Sequence, residues 1–115
     1  GEVTDISIPR VPPKRTHVYY QYCVYGPPRD ELVTRCVRRG IDIETLHVDV
    51  CSSLPLFIRF RSPAPNAERT AQLIQAPIHS SLTDAEVARV GQTIRDAVLQ
   101  ITREVDTRVP AQRSA

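Results

Sequence analysis

Large aromatic and sulfur-containing side chains are scarce in this sequence. Its 115 residues include no tryptophan and no methionine, and aromatic residues make up only 5% of them. A chain of this length can still bury a real core, which must then consist mainly of valine, isoleucine, leucine and alanine. The four glycines form no phosphate-binding loop.

Signals for membrane insertion, export and metal binding are missing as well. No apolar run approaches the roughly 18 residues that a membrane-spanning helix needs, and the first residues lack the basic and apolar regions of a signal peptide. The three cysteines form no C-x-x-C pair and have no histidine at metal-ligand spacing. We therefore expect free thiols in a cytoplasmic protein that binds neither a membrane nor a metal ion.

The basic residues are almost all arginine. Fourteen arginines accompany a single lysine, Lys14, and the formal net charge is only +2. The arginines alternate with acidic residues and do not line one stripe with aromatic residues, so we expect no nucleic-acid binding. An enzyme that forms a Schiff base needs a lysine amine, and Lys14 is the only candidate.

Hydrophobic periodicity predicts six elements in the order β-α-β-α-β-α. They are expected over residues 17–25, 30–39, 41–50, 66–75, 76–81 and 83–105. In the first strand, Tyr20 and Tyr22 would face the helices. Gly40 is the expected left-handed residue after the first helix, and Thr83 with Glu86 forms a capping box at the start of the last one.

This order of elements favours an α+β fold. We predict a small, mostly antiparallel sheet of about three strands with helices packed on it. The first helical connection favours two strands that are parallel or neighbours. Residues 1–16 form a proline-rich lead-in or interdomain linker, residues 17–106 the domain, and residues 107–115 a flexible tail.

Candidate residues for chemistry are few. His17, His47 and His79 are the only side chains that ordinarily titrate near neutral pH. His47 is followed closely by Asp49, Cys51, Ser52 and Ser53, although a histidine that is hydrogen-bonded at a strand end is the simpler explanation and outweighs a direct catalytic role. No nucleophile motif accompanies these histidines, so the residues alone do not assemble an independent enzyme.

An arginine pair follows in "IRFRS", where Arg59 and Arg61 alternate with apolar residues. Two arginines at this spacing can clamp a phosphate or a carboxylate. A solvated, alternating loop or strand edge explains the same pattern.

Three phrases taken together resemble one family. In order along the chain they are "IPRVPPKRTHVYYQYCVYG", "RDELVTRCVRRGID" and "NAERTAQLIQAPIHSSLTDAEVARVGQTIRDAV". They resemble the C-terminal small domain of the DegT/DnrJ/StrS family of sugar aminotransferases over residues 8–100. Each motif alone is weak, whereas their order and spacing are fairly specific.

The resemblance implies a particular kind of enzyme. Its members have the fold of type I pyridoxal-phosphate (PLP) proteins and work as homodimers. A large N-terminal domain holds PLP on its lysine, and the enzyme transfers an amino group, usually from glutamate, to a keto-sugar nucleotide. In this chain the resemblance implies no catalytic, cofactor-binding or metal-binding residue, because the PLP lysine would lie in an upstream domain.

The resemblance also implies where substrate would be contacted. The loop after the second strand faces the cleft in the family, which assigns substrate binding to His47, Asp49, Ser52 and Arg59. One departure is visible there: many members have "HYP", and this chain keeps His47 but continues with Val48.

The alternative is a stand-alone, non-catalytic module for binding or oligomerisation with the same fold. The two hypotheses differ in the burial of apolar residues from the lead-in and the loop after the second strand. These are Ile6, Ile8, Leu54, Leu56, Phe57, Ile58 and Phe60. A self-contained module should bury them, whereas their exposure would mean that a partner surface is missing.

Overall fold

The computed structural model describes residues 6–26, 28–45 and 50–108. Three strands and three α-helices alternate along the chain: β1 (Tyr22–Tyr25), α1 (Arg29–Arg38), β2 (Glu44–Thr45), α2 (Pro65–Thr70), β3 (Leu73–Ala76) and α3 (Asp84–Arg108). Two 3₁₀-helices, Cys51–Ser53 and Pro55–Phe60, lie between β2 and α2. None of the helices in this part of the chain combines the length and apolar character that crossing a bilayer requires.

The sheet has the order β1-β3-β2. Both outer strands pair antiparallel with β3, so that Val24 and Thr45 flank Ile74 from its two sides. The predicted α+β class with a small antiparallel sheet is therefore confirmed. β1 and β2 run parallel to each other, as the helical connection suggested, but β3 separates them.

One face of the sheet forms the core with α1 and α3. Ile74 of β3 and Leu32 of α1 are fully buried, and Ile101 of α3 is 1% exposed. The remaining core residues are Val24, Cys36, Ile41, Ile43, Ile94, Ala97 and Val98. As the composition predicted, this core is mainly aliphatic. Among the described residues it contains no large aromatic side chain and no buried charge.

The predicted strand over residues 17–25 is too long. β1 begins only at Tyr22, which pairs with Ala76, so Pro77 would face Gln21 in the same register. Proline has no backbone N–H to donate to a ladder, and it therefore ends the pairing. The preceding Tyr19 has a φ of +47° and its N–H donates to Nδ1 of His17 at 2.8 Å. Tyr20 is 86% exposed, so it does not pack against a helix of this chain, and the packing predicted for it in an intact enzyme stays a prediction.

The middle of the chain differs from the prediction in its boundaries. β2 comprises only Glu44–Thr45, and residues 46–49 lie outside the described part. α2 ends at Thr70, five residues before the predicted end, and β3 starts three residues early at Leu73. Ile74, predicted on the helix, instead supplies the centre of the sheet.

The turn after α1 follows the prediction at Gly40. Its φ is +75°, in the left-handed region that favours glycine. The N–H of Gly40 donates to the carbonyl of Val37, and the N–H of Ile41 donates to that of Cys36. This pair of bonds is a Schellman motif, and it directs Ile41 and Ile43 into the core.

The capping box at the start of α3 is also present. The N–H of Glu86 donates to Oγ1 of Thr83 at 3.3 Å, and the carboxylate of Glu86 accepts the N–H of Thr83 at 2.8 Å. Ile94, Val98 and Ile101 of the predicted apolar face are buried. Val87, at the beginning of the same face, is 55% exposed, so the first turns of α3 are capped but poorly covered.

Polar side chains hold α1 against α3. Arg35 pairs with Glu31 on its own helix and with Glu104 of α3, where the N–O distance is 2.7 Å. These carboxylates raise the pKa of Arg35, so its charge is permanent. Arg39 donates to the side-chain oxygen of Gln100.

Candidate functional site

The four residues that the sequence implied for substrate binding are only partly visible. His47 and Asp49 lie outside the described residues. Ser52 is in the first 3₁₀-helix, and its Oγ is buried without a hydrogen-bond partner among the described residues. Arg59 is exposed in the second 3₁₀-helix. Their convergence on one substrate therefore stays a prediction.

The loop that carries them has a defined backbone. The N–H of Ser53 donates to the carbonyl of Val50 at 2.7 Å, and the N–H of Phe57 donates to that of Leu54 at 2.9 Å. Pro55 begins the second 3₁₀-helix, where its missing N–H and fixed φ suit a first helical position. The sequence predicted an irregular loop here, and two short helices are found instead.

A small polar hollow of about 300 Å³ lies beside this loop. Its lining comes from the start of α1, the first 3₁₀-helix and the end of α2: Arg29, Val50, Ser53, Leu54, Glu68, Ala71 and Gln72. Ser52 and Arg59 are not among these residues. The hollow thus contains a cation, a carboxylate, a hydroxyl and an amide, which can orient a polar ligand.

Arg29 connects the start of α1 with the end of α2 at the polar hollow. Its guanidinium donates to the carbonyl of Ala71, 42 residues further along the chain, and pairs with Asp30 at 2.8 Å. The carboxylate of Glu68 accepts the N–H of Ala64 at 3.4 Å. Both charged groups are held in place by partners from the chain, so they are better suited to positioning than to proton transfer.

A second, larger depression of about 600 Å³ is mainly apolar. We call it the apolar groove. It lies between the sheet, the lead-in and the first half of α3, and is lined by Ile6, Ile8, Tyr22, Val24, Ala76, Pro77, Ile78, His79, Leu82, Val87, Val90, Gly91, Ile94 and Arg95. Its basic members are Arg95 and His79, and no acidic residue is among the described residues that line it.

No catalytic set is formed by the described residues. His79 contacts the hydroxyl of Ser81 at 2.8 Å, and Glu86 lies within electrostatic range of His79. No carboxylate of the described residues hydrogen-bonds to His79 or Ser81, so a nucleophile triad is not formed there. Burial raises the pKa of the Cys23 and Cys36 thiols, which keeps them protonated and poorly nucleophilic. No group of three metal-ligating side chains occurs in the described part of the chain.

Lys14 does not fit a PLP site. It is exposed, has a φ of +60°, and belongs to a turn in which the N–H of Arg15 donates to the carbonyl of Pro12. Lys14 lines neither the polar hollow nor the apolar groove. A Schiff-base lysine needs surroundings that enclose the cofactor and tune its amine, and this turn provides none among the described residues.

The second 3₁₀-helix exposes a contiguous set of apolar side chains, which we call the apolar ridge: Leu56, Phe57, Ile58 and Phe60. Leu56 is 78% exposed, Phe60 75%, Ile58 53% and Phe57 43%. Ile8 of the lead-in is also exposed, whereas Ile6 and Leu54 are half-buried. Most of the apolar residues by which the two hypotheses differ are therefore exposed in the described part of the chain.

Comparison with known proteins gives matches in structure only. No family model matches the chain, and none of the curated proteins does. The structure of DesV from S. venezuelae in complex with a ketimine intermediate is 28% identical with a TM-score of 0.69 over 82% of this chain. The aminotransferase TlmJ from Streptoalloteichus hindustanus is 26% identical with a TM-score of 0.66 over 84% of this chain.

A third match shows the same fold at lower identity. A DegT DnrJ EryC1 StrS aminotransferase from Brucella abortus is 20% identical with a TM-score of 0.65 over 81% of this chain. The chain covers 26% of the DesV chain, 27% of the TlmJ chain and 26% of the Brucella chain. It therefore spans about a quarter of the solved structures that it matches, and it shares its fold with part of aminotransferases.

Sequence reasoning missed the polar hollow. Ser53 was near enough to His47 to be noticed, but Arg29, Glu68 and Gln72 carried no motif. They lie close together because α2 ends beside the start of α1. The contact between Arg29 and Ala71 joins residues 42 positions apart in the sequence, and no local pattern predicts it. The sequence contained one indication of this contact, Arg29. A cation is unfavourable at the positive end of a helix dipole, so its position there suggests that another group compensates its charge.

Proposed function

We propose that this chain is the C-terminal small domain of a PLP-dependent sugar-nucleotide aminotransferase. Joined to a PLP-binding large domain, it would help to transfer an amino group from an amino acid such as glutamate to a keto-sugar nucleotide. The observation that carries the proposal is the match to DesV, with a TM-score of 0.69 over only 26% of that chain. A match of this extent is expected for one domain of a larger enzyme.

The chemistry named for the matched proteins agrees with this proposal. Two of them are aminotransferases, and the DesV structure contains a ketimine intermediate. A ketimine has a carbon–nitrogen double bond, which is the bond that amino transfer to a carbonyl carbon requires. The motifs "HVYYQY", "NAER" and "SLTDAEV" support the same family from the sequence.

In this proposal PLP is held outside the chain. The exposed position of Lys14 supports a Schiff-base lysine in the large domain. This chain would contribute part of the substrate cleft through His47, Asp49, Ser52 and Arg59. The buried Ser52 hydroxyl, which has no hydrogen-bond partner among the described residues, is the kind of group that a ligand can satisfy. The three free cysteines suit a cytoplasmic enzyme, and a homodimer is the proposed assembly.

The exposed apolar ridge favours this proposal over a stand-alone module. A module that functions alone should cover side chains such as Phe60 and Leu56, which are 75% and 78% exposed. A domain that belongs against a second domain has no need to cover them itself.

The experiment that tests this proposal measures PLP binding and amino-transfer activity of the natural polypeptide that carries this chain. We expect the purified protein to absorb as bound PLP and to transfer the amino group of glutamate to a nucleotide-linked keto-sugar. The matched control is the chain of residues 1–115 alone, which should neither bind PLP nor catalyse the transfer. A natural polypeptide that binds no PLP and aminates no member of a panel of keto-sugar nucleotides would contradict the proposal.

A further inference from the structure

We propose that the apolar ridge is the element by which this chain docks on the PLP-binding domain of its own polypeptide. The receiving surface is inferred to be an apolar pocket bordered by carboxylates. This inference rests on the proposed function, because that function supplies the second domain.

The geometry of the ridge suits insertion into a pocket. Pro55–Phe60 is a six-residue 3₁₀-helix in which no residue is buried, and 3₁₀ runs longer than three or four residues are uncommon. A 3₁₀-helix has about three residues per turn, so residues three apart share a face. Phe57 and Phe60 therefore lie on one side, and two aromatic rings on one side form the kind of cluster that dominates binding interfaces.

The other two faces of the helix are each interrupted by charge. Leu56 shares its face with Arg59, and Ile58 shares its face with Arg61, the residue that follows the helix. A helix that lies on a membrane needs one broad apolar face opposite a polar one. This helix has a narrow phenylalanine face flanked by arginines on both sides, which favours a protein pocket over a bilayer.

Charge indicates what borders the pocket. Residues 50–67 contain two arginines, Arg59 and Arg61, and no acidic residue. Carboxylates on the partner would complete charge-assisted hydrogen bonds with Arg61 at the rim, which leaves Arg59 to the proposed substrate cleft. The apolar groove of a second copy of this chain is a poor receiving surface, because Arg95 and His79 in its described lining are basic like the two arginines.

The remaining chain of the matched proteins supplies a more suitable partner. This chain corresponds to 26% of DesV and 27% of TlmJ. About three quarters of such a polypeptide is then available to cover the ridge within one molecule. Intramolecular docking also benefits from the high effective concentration that a short connection gives.

The test compares two double variants of the natural polypeptide by hydrogen–deuterium exchange and thermal unfolding. In the first, Phe57→Ser with Phe60→Ser removes the proposed contact. In the control, Val37→Ser with Leu99→Ser removes two exposed apolar side chains from α1 and α3, which are 52% and 46% exposed. We expect residues 54–61 to be protected in the wild type and in the control, within one unfolding transition.

In the phenylalanine variant we expect amide exchange over residues 54–61 to become at least about tenfold faster and unfolding to split into two transitions. A further variant, Arg61→Glu, tests the carboxylate rim. It should accelerate the same exchange at low salt, and the difference from the wild type should shrink in about 0.5 M salt because exposed charges are screened.

The outcomes separate this inference from the proposed function. If the polypeptide transaminates but the phenylalanine variant keeps its protection, docking through the ridge is overturned and the function stands. If protection depends on both phenylalanines but no amino transfer occurs, the docking stands and the function falls. Protection that is lost on dilution, or that requires anionic vesicles, overturns the inference in favour of a second copy or a membrane. A natural polypeptide no longer than this chain overturns both proposals.

Discussion

The sheet core and the segment of residues 50–61 contain similar apolar residues, but these residues are buried in the core and mostly exposed in the segment. In the core, Ile74 is fully buried between α1, α3 and two flanking strands, whereas Ile58 in the second 3₁₀-helix is 53% exposed. The core is fixed by packing within the chain. The segment has a regular backbone without comparable packing, and the docking proposed for the apolar ridge would account for this difference.

The largest expected effect comes from truncating one isoleucine in each region, which tests whether the two regions differ in packing. Ile74→Ala in the chain of residues 1–115 should lower the free energy of unfolding by about 2–5 kcal/mol, because it leaves a cavity in the core. Ile58→Ala should change it by less than about 0.5 kcal/mol, since the side chain is largely solvated. Urea denaturation of both variants measures the difference. Equal losses would show that the segment is packed as tightly as the core.

A second comparison uses glycines on the packed and open sides of the molecule. Gly40 has a φ of +75° in the turn that leads into the core, and Gly40→Ala should destabilise by about 1–2 kcal/mol because a Cβ disfavours this conformation. Gly91 lies in α3 beside the apolar groove, where an added Cβ meets nothing within 4 Å. Gly91→Ala should therefore stabilise by about 0.5–1 kcal/mol. Thermal unfolding monitored by circular dichroism shows whether each substitution raises or lowers stability. A stabilising Gly40→Ala would contradict the left-handed conformation at residue 40.

A third variant asks what holds the uncovered start of α3. Val87 is half exposed there. The cap at Thr83 must therefore supply the stabilisation that buried side chains supply in the later turns of α3. Thr83→Ala should cost about 1 kcal/mol of unfolding free energy through loss of the cap. The control is Thr70→Ala in α2, whose hydroxyl only donates to the carbonyl of Asn66 within the helix, and it should stay within about 0.5 kcal/mol. Chemical denaturation distinguishes the two.

The smallest expected effect is a pH dependence of the same cap. Hydrogen bonds from the backbone and hydroxyl of Thr83 hold the pKa of Glu86 below its usual range. The folded-state pKa is thus lower than the unfolded one, so the contribution is present above about pH 4.3 and is lost as pH falls through the folded value. Glu86→Gln should lower the melting temperature slightly at pH 7.

The same Glu86→Gln variant should have no effect on the melting temperature in strong acid, where the wild-type carboxyl is protonated too. Melting curves of both proteins between pH 2 and pH 7 would show this convergence. A difference that stays constant across the range would mean that the carboxylate charge does not contribute to the cap.

The features that could be predicted from the sequence are those with local causes. The capping box needs only Thr83 and Glu86, and the turn after α1 needs only a glycine at residue 40. The α+β class followed from the alternation of periodic segments. The strand ends could not be placed, because β1 begins only at Tyr22, where its pairing with β3 is limited by Pro77, a residue distant in sequence that follows β3.

The candidate site was less predictable than the fold. Arg29 and Ala71 meet through a long-range contact, and the exposure of Phe57 and Phe60 depends on whether any other element covers them. Composition alone indicated that the apolar residues after β2 were unusual for a loop. It could not show that they form a helix with both aromatic rings on one side.

The position of β3 in the sheet has a consequence for how the chain folds as it is synthesised. β1 and β2 precede β3 in sequence, yet both pair with Leu73–Ala76 and not with each other. Until residues 73–76 have been added, β1 and β2 lack the strand with which both pair, and β1 can form only the single antiparallel bridge between Ser7 and Tyr25. The sheet must then close in one late step that depends on distant contacts, which is a slow kind of folding event. A nascent chain that stops before Leu73 would therefore lack the entire sheet and not merely one of its strands.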